Sequence, residues 1–515
     1  MPDTSNIAPA VVSCSGGLVL NRDVFSMSPG EALELKNFEP DITGGYKKIR
    51  GTTLFNDNIV PQVASPSERV VMSAVFNGAV LAGRGGSIHY ASSGSGSWTS
   101  LITGLGTPTQ NYEFRKFNFS GTDNIVICSG TSTPRVVDTS YTVTNVNASG
   151  SANFKFVEIF KNHIFFSGDT SNKQSVKFMA SFSTNDFTVA NGGGEIKVDS
   201  PVTGLKVFRD NLFIFCNDEI FKLVGSSSAD FALQPVTRKI GCIDGRSIQE
   251  FGGDVIFLGP DGLRTIAGTD RIGDVELGTI SKQVQDIIED ITTHNINSLV
   301  IRNKSQYRLF YPTSVDQSQN SAKGLICTIK TNIQTGSPGF EYAELVGLKV
   351  SSADSDFISD TETVVSGGYD GYVYQQESGN TFARAGSSST IQSFYRTPDM
   401  TMGDPGIRKS MQRVIWNYEN EGDVSANFKV RYDFDSPQVP QPDAYTLSTG
   451  AGIAVYGLSA STYGTAVYGS SGANLVRQSV EGSGFTVALR VEDFSTNLPI
   501  SFKGFELEFI PGGRR

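Results

Sequence analysis

Catalysis needs nucleophiles, bases or metal ligands, and the histidines are the first place to look. The 515-residue chain has three, His89, His163 and His294. His89 and His163 sit inside β-type runs and His294 ends a helix-like segment. None has a neighbour that would make it the base of a nucleophile or part of a metal set. The patterns G-x-S-x-G, G-x-x-x-x-G-K-[ST] and H-E-x-x-H do not occur. Carboxylates remain: glycoside cleavage needs two of them, one on each side of the bond, and Asp and Glu total 52. A sequence cannot place two across a cleft. "SSGSGSW", Ser92–Trp98, is one residue short of the sialidase pattern S-x-D-x-G-x-x-W and lacks its acid. "DSDFISD", Asp354–Asp360, has calcium-loop character without the third early ligand or the glycine. Asp261-Gly262 and Asp370-Gly371 read as type I′ hairpin turns. The expectation is a non-enzymatic chain with no catalytic residue, metal or cofactor.

Composition narrows the classes further. A net charge of −10 argues against a protein that grips nucleic acid by neutralising phosphates. It is compatible with one that lets nucleic acid pass. Cys14, Cys128, Cys216, Cys242 and Cys327 are odd in number and widely spaced without C-x-x-C, so they read as small buried hydrophobes of a reducing compartment. "MPDTSNIAPAVVSCSGG" has no basic start and no apolar core of a secretion signal. No apolar run approaches the roughly 18 residues of a membrane span.

The elements that would position any site are β-strands. Gly 55, Phe 34 and Tyr 17, with short alternating runs broken by turn residues, mark an all-β protein. A turn plus a short β-run recurs, with markers at Ile88, Val136, Val176, Ile220, Leu263, Leu325 and Tyr372. Most copies follow an apolar hairpin such as "GLKVFRDNLFIFCN". Hairpin pairs every 40–50 residues or so are the period of a β-propeller. Six to eight blades are expected, with seven favoured. One longer step holds "SKQVQDIIEDITTH", an amphipathic helix over 281–294 capped by Ser281. "SPGEALELKNF" predicts a short helix after a Ser28 cap with Pro29 in the first turn. The strand Tyr46–Arg50 is expected to close the ring, its lysines facing solvent. The organisation is then an arm over 1–45, a propeller over 46–390 and an antiparallel β-sandwich over 391–515. A Gly/Ser/Tyr loop over 445–483, with "AVYG" at Ala454 and again at Ala466, would protrude as a protein-contact surface.

Two stretches resemble a known family. "GGLVLNRDVFSMSPGEALELKNFEPDITGGYKKIRG" is similar to the start of tail proteins of short-tailed bacteriophages, and "FKGFELEFIPGGRR" to their last strand. The resemblance implies a tail nozzle, or packaged-DNA stabilisation protein. This is a homohexameric tube below the head–tail adaptor ring that continues the DNA channel, retains the packaged genome, lets double-stranded DNA pass on ejection and holds tail fibres or spikes. The long insertions of the largest nozzles are missing, which puts fibre attachment in doubt. The implied location is the virion tail, after synthesis in the host cytoplasm. Lys47, Lys48, Arg50, Arg408, Lys409, Arg514 and Arg515 are candidates for docking to the adaptor, and Tyr456, Tyr463 and Tyr468 for protein contacts. The alternatives are a glycan-binding virion or surface propeller, and a propeller depolymerase or hydrolase.

Overall fold

The computed structural model describes residues 7–62, 69–92, 96–267, 279–291, 296–312, 322–331, 338–448 and 474–514. Its architecture follows from strands that are apolar on both faces. In Asp123–Cys128, Ile125 and Ile127 point one way, Val126 and Cys128 the other, and all four are buried. Such a strand must lie between two layers. Ile125 and Ile127 pack with Leu81 and Ile88 of the preceding sheet, whereas Val126 and Cys128 pack with Ile164 and Phe166 of the following one. Repeating this arrangement generates a ring.

Blade 1 (residues 72–102), blade 2 (113–145), blade 3 (156–197) and blade 4 (202–237) are four-stranded antiparallel sheets ordered as in the chain. Blade 5 (249–265) has three strands. Blade 7 (352–376) takes a fourth from Thr52–Leu54, which pairs antiparallel with Val373–Gln376. These six blades are sheets of their own. The remaining place, between blades 5 and 7, is filled by residues 297–346, whose four strands continue through Glu34–Lys36 into a nine-stranded sheet of the C-terminal region. The ring closes where Ser352–Ile358 lies beside Met72–Phe76. The sequence markers all fall on or next to the third strand of their unit.

The closing strand is therefore Thr52–Leu54 and not Tyr46–Arg50. Tyr46–Lys48 pairs instead with Phe38–Pro40 and with the last strand, Ile500–Arg514. Gly45 (φ +86°) forces this turn, because a Cβ there would meet the Phe502 carbonyl at 2.2 Å. Tyr46 is fully buried; its hydroxyl accepts from Gly17 N at 3.0 Å and donates to the Gly30 carbonyl at 2.7 Å. The short helix expected after Ser28 is absent: Glu34–Lys36 is a strand, held parallel to Pro338–Val346 and antiparallel to Ser393–Arg396. Two ready sheet edges override the helix propensity of Ala-Leu-Glu-Leu. At 281–294, the described part holds a 3₁₀ turn, Lys282–Val284, and an α-helix, Gln285–Glu289, with Val284, Ile287 and Ile288 buried. Ser281 does not cap it; its hydroxyl accepts from Leu263 N at 2.9 Å.

Two facing sheets form the C-terminal region. One is built on Ile407–Asn420 and Ile500–Arg514, the other on Ser425–Tyr432 and Val487–Asp493. Between them Trp416 packs its ring 5.2–5.5 Å from Phe428, Phe502 and Phe505. One apolar core runs from this sandwich into residues 297–346 and blade 5. The five cysteines are buried and unpaired. Burial pushes the Cys216 and Cys327 thiols up to about 12.

The N-terminal segment is also tied to the ring by charge. Glu39 accepts from Arg308 Nη2 at 2.9 Å and Lys304 Nζ at 2.5 Å. Glu377 accepts from the same two cations, its Oε1 lying 2.6 Å from Arg308 Nη2. Burial would raise the Glu377 carboxyl, but Arg308 and Lys304 outweigh it and hold it at about 2. A depressed carboxylate stabilises the fold above its ordinary value of 4.5 and loses that contribution as the pH falls towards about 2. Glu377→Gln leaves buried Arg308 and partly exposed Lys304 against one carboxylate and is expected to cost about 3 kcal/mol near neutral pH. It should also flatten the acid limb of stability. Urea unfolding of both proteins from pH 2.5 to 7 measures this; an unchanged acid limb would refute it.

Candidate binding cavity

The first strand of each blade faces the ring axis, and its chemistry differs from that of the strands outside it. In "EFRKFN" (Glu113–Asn118) Glu113 and Arg115 alternate, as do Asp354 and Asp356 in "SADSDFI" (Ser352–Ile358). Period two sends those side chains to one side of the strand. They converge on a cavity of about 700 Å³, which adjoins a second of about 350 Å³; Asn111, Glu113, Gly245 and Arg246 line both.

At that junction Asp244 accepts from Arg246 Nε at 2.9 Å and Nη2 at 2.5 Å. Arg246 Nη1 is buried and has no protein partner. Arg115 Nη1 lies 2.7 Å from Glu113 Oε1, and Arg115 Nε donates to Glu158 at 3.0 Å. Asp354 accepts from Val75 N at 2.9 Å, and Lys116 is paired with Asp356. Burial raises the Glu113 carboxyl despite Arg115, and raises Asp354 despite Lys116. Burial, then Arg115, lowers the Lys206 ammonium. The site thus contains carboxyls raised by burial beside fixed guanidinium groups. Such a mixture can donate a proton, hold an anion or bind hydroxyls. "DSDFISD" is a strand rather than a loop, and two of its acids face this cavity. The signal in the sequence was the spacing of charges in two of these first runs, Glu113 with Arg115 and Asp354 with Asp356.

The residues singled out from sequence lie elsewhere. Lys47 and Arg50 both pair with Glu421. Lys48 is corrected as a docking residue: it is buried, 2.9 Å from Asp493 Oδ1, and donates to the Ser495 carbonyl at 2.9 Å. It shares a strand face with Tyr46, so its outward lysine edge does not exist. Lys409 is corrected likewise; it is buried and donates to the carbonyls of Asp404 and Phe485 at 2.6 and 3.1 Å. Burial lowers both ammonium groups. Arg408 remains exposed, donating to Ser483 over the Phe485 ring. Arg514 ends the last strand opposite Ile407. Tyr456, Tyr463, Tyr468, Arg515 and His294 lie outside the described residues. No helix among the described residues is long and apolar enough to cross a membrane.

The fold and cavity define a β-propeller protein with a polar axial site. No protein-family model and no curated protein matches the chain. Similar solved structures include the extracellular domain of a hybrid two component system from B. thetaiotaomicron, at 8% identity and TM-score 0.38, covering 72% of this chain and 44% of that one. An ancestral GH74 enzyme is 9% identical with TM-score 0.39, over 71% and 53%. An exo-β-1,3-galactanase from Phanerochaete chrysosporium, in a structure with β-1,3-galactotriose, is 10% identical with TM-score 0.27, over 90% and 99%. The chain spans about half the length of the first and second of these. The expectation of a non-enzymatic chain is corrected: glycan-cleaving enzymes are among the similar structures, and the fold gathers carboxylates that the sequence could not place. At such identities and scores the likeness concerns the fold and assigns no activity.

Because the folded-state value of Asp354 is raised above its ordinary 3.8, it contributes stability at acid pH that is lost as the pH climbs past that value. Asp354→Asn keeps an acceptor for Val75 N and removes the charge. Its stability relative to the parent is expected to rise between pH 4 and pH 7 in thermal melts; a constant difference would refute the burial argument.

Proposed function

We propose that the chain is a virion tail protein of a short-tailed bacteriophage, the nozzle that extends the DNA channel below the head–tail adaptor. The observation that carries this reading is the convergence of the two stretches that bear the resemblance. They lie at opposite ends of the chain, yet Tyr46 and Lys47 pair with Phe502 and Ser501, and Ala8–Ser13 pairs along the same last strand. The shared "GGY" is explained by one structural need, the Gly45–Phe502 approach and the Tyr46 clasp, as expected for residues that specify a common module. The net charge of −10 suits a channel that must not retain phosphate backbones. In this reading Lys47, Arg50 and Arg408 remain the surface cations available to an adaptor. Native mass spectrometry of the purified 55.3 kDa chain, alone and with its adaptor ring, is expected to show a hexamer in at least one condition. A monomer in both would overturn the nozzle assignment.

A second reading is favoured by the cavity. Carboxyls raised by burial on the axis of a propeller suit a glycan-binding or glycan-cleaving protein. Release of reducing ends from host-surface polysaccharide, abolished in Glu113→Gln or Asp354→Asn, would support cleavage. Equal release by parent and variants would exclude these residues from it.

A further inference from the structure

We propose that the axial cavity is a binding site for an acidic oligosaccharide, a sugar chain bearing carboxylates, with Arg246 as the anion-binding group. The inference rests on the glycan reading above but not on cleavage. Three observations carry it.

The first is the state of Arg246. Asp244 grips two of its nitrogens in a bidentate fork, which fixes the guanidinium plane. The third nitrogen, Nη1, is buried at the junction of the two chambers with no protein acceptor. A guanidinium oriented in advance with one open donor offers a carboxylate a charge-assisted hydrogen bond at little reorganisation cost.

The second is charge. The larger chamber interleaves five cations, Arg115, Lys116, Lys206, Arg246 and Arg302, with four carboxylates, Glu113, Glu250, Asp354 and Asp356. Arg115, Arg246 and Arg302 are also paired with Glu158, Asp244 and Glu362 behind the lining, so both signs alternate over the wall. The interleaved carboxylates would repel a densely charged polyphosphate. A chain with one carboxylate per sugar and hydroxyls between them matches the alternation.

The third is a pair of neutral groups beside Arg246. Asn111 and Tyr112 are each at least 95% buried, and Asn111 Oδ1 and Tyr112 Oη have no protein partner. Both line the larger chamber. A buried acceptor and hydroxyl without a protein partner are what sugar hydroxyls satisfy. The chamber's volume, about 700 Å³, falls within the range of roughly 300–1,000 Å³ for ligand pockets.

Isothermal titration of the full chain with tetragalacturonate, a hyaluronan tetrasaccharide and neutral maltotetraose tests the proposal. At least one acidic probe is expected to bind ten-fold or more tighter than maltotetraose, with affinity falling as salt is raised. Arg246→Gln should reduce that affinity ten-fold or more. Lys206→Gln, which leaves the Asp244 fork intact, should reduce it several-fold and guards against a folding defect in the first variant. Equal affinity for acidic and neutral probes, unchanged in Arg246→Gln, would overturn the anion site and leave the glycan reading standing. No binding of any probe would overturn both.

Discussion

A four-member charge cluster, with Glu39 and Arg308 buried and Lys304 and Glu377 partly buried, holds the molecule to one topology. Glu39 lies in the N-terminal segment, Lys304 and Arg308 in the unit shared between ring and sandwich, and Glu377 at the edge of blade 7. Each ion alone would be expensive to bury, and the cost is offset only when all four meet. Three regions of the chain, more than 330 residues apart at the extremes, must therefore be correctly placed together. Hydrophobic burial supplies most of the folding free energy but has no direction. The cluster supplies direction: it places Phe38–Pro40 against residues 297–346, and a few residues later Thr52–Leu54 reaches blade 7. Ring closure and sandwich assembly are thus parts of one event.

That coupling explains how the chain combines a rigid frame with a polar centre. Apolar side chains are confined between neighbouring blades, where strands such as Asn211–Cys216 are buried on both faces. Because the ring is held shut at its circumference, the axis need not be filled. It can carry groups that oppose folding, including raised carboxyls, a lowered ammonium and unpaired polar atoms. A cluster of this kind persists only where the surrounding structure over-determines it.

Much of the fold was legible because its signals are local. The turn-plus-strand repeat reports the third strand of every unit, and the alternation in "SMQRVIWNYEN" and "FKGFELEFI" reports the sandwich. The closing strand was misplaced by a few residues because "YKK" and "TTL" are both short β-runs, and only the tertiary partner distinguishes them. "ALEL" read as helix because its propensity is high and its two sheet edges arrive from residues 338–346 and 393–396. Lys48 and Lys409 read as surface charges because burial depends on which face a strand presents, and Asp493 and Asp404 are distant or unmarked partners in sequence.

The cavity was not legible for a different reason. Glu113 and Asp354 belong to different blades and Arg246 to the turn that precedes blade 5, and no short window of sequence contains two of them. Circular symmetry brings the first strand of every repeat to the axis, so the lining is a set of equivalent positions rather than a motif. What a linear reading can recover is narrower: in two repeats the middle of the first run carries charge where the middle of the second is apolar. Compare "EFRKFN" with "DNIVIC", or "SADSDFI" with "TETVVSG". In a propeller that contrast separates residues that hold the ring together from residues free to vary with a ligand. By that criterion Glu113 and Asp354 belong to the site, and Lys48, in spite of its place in a basic run, belongs to the frame.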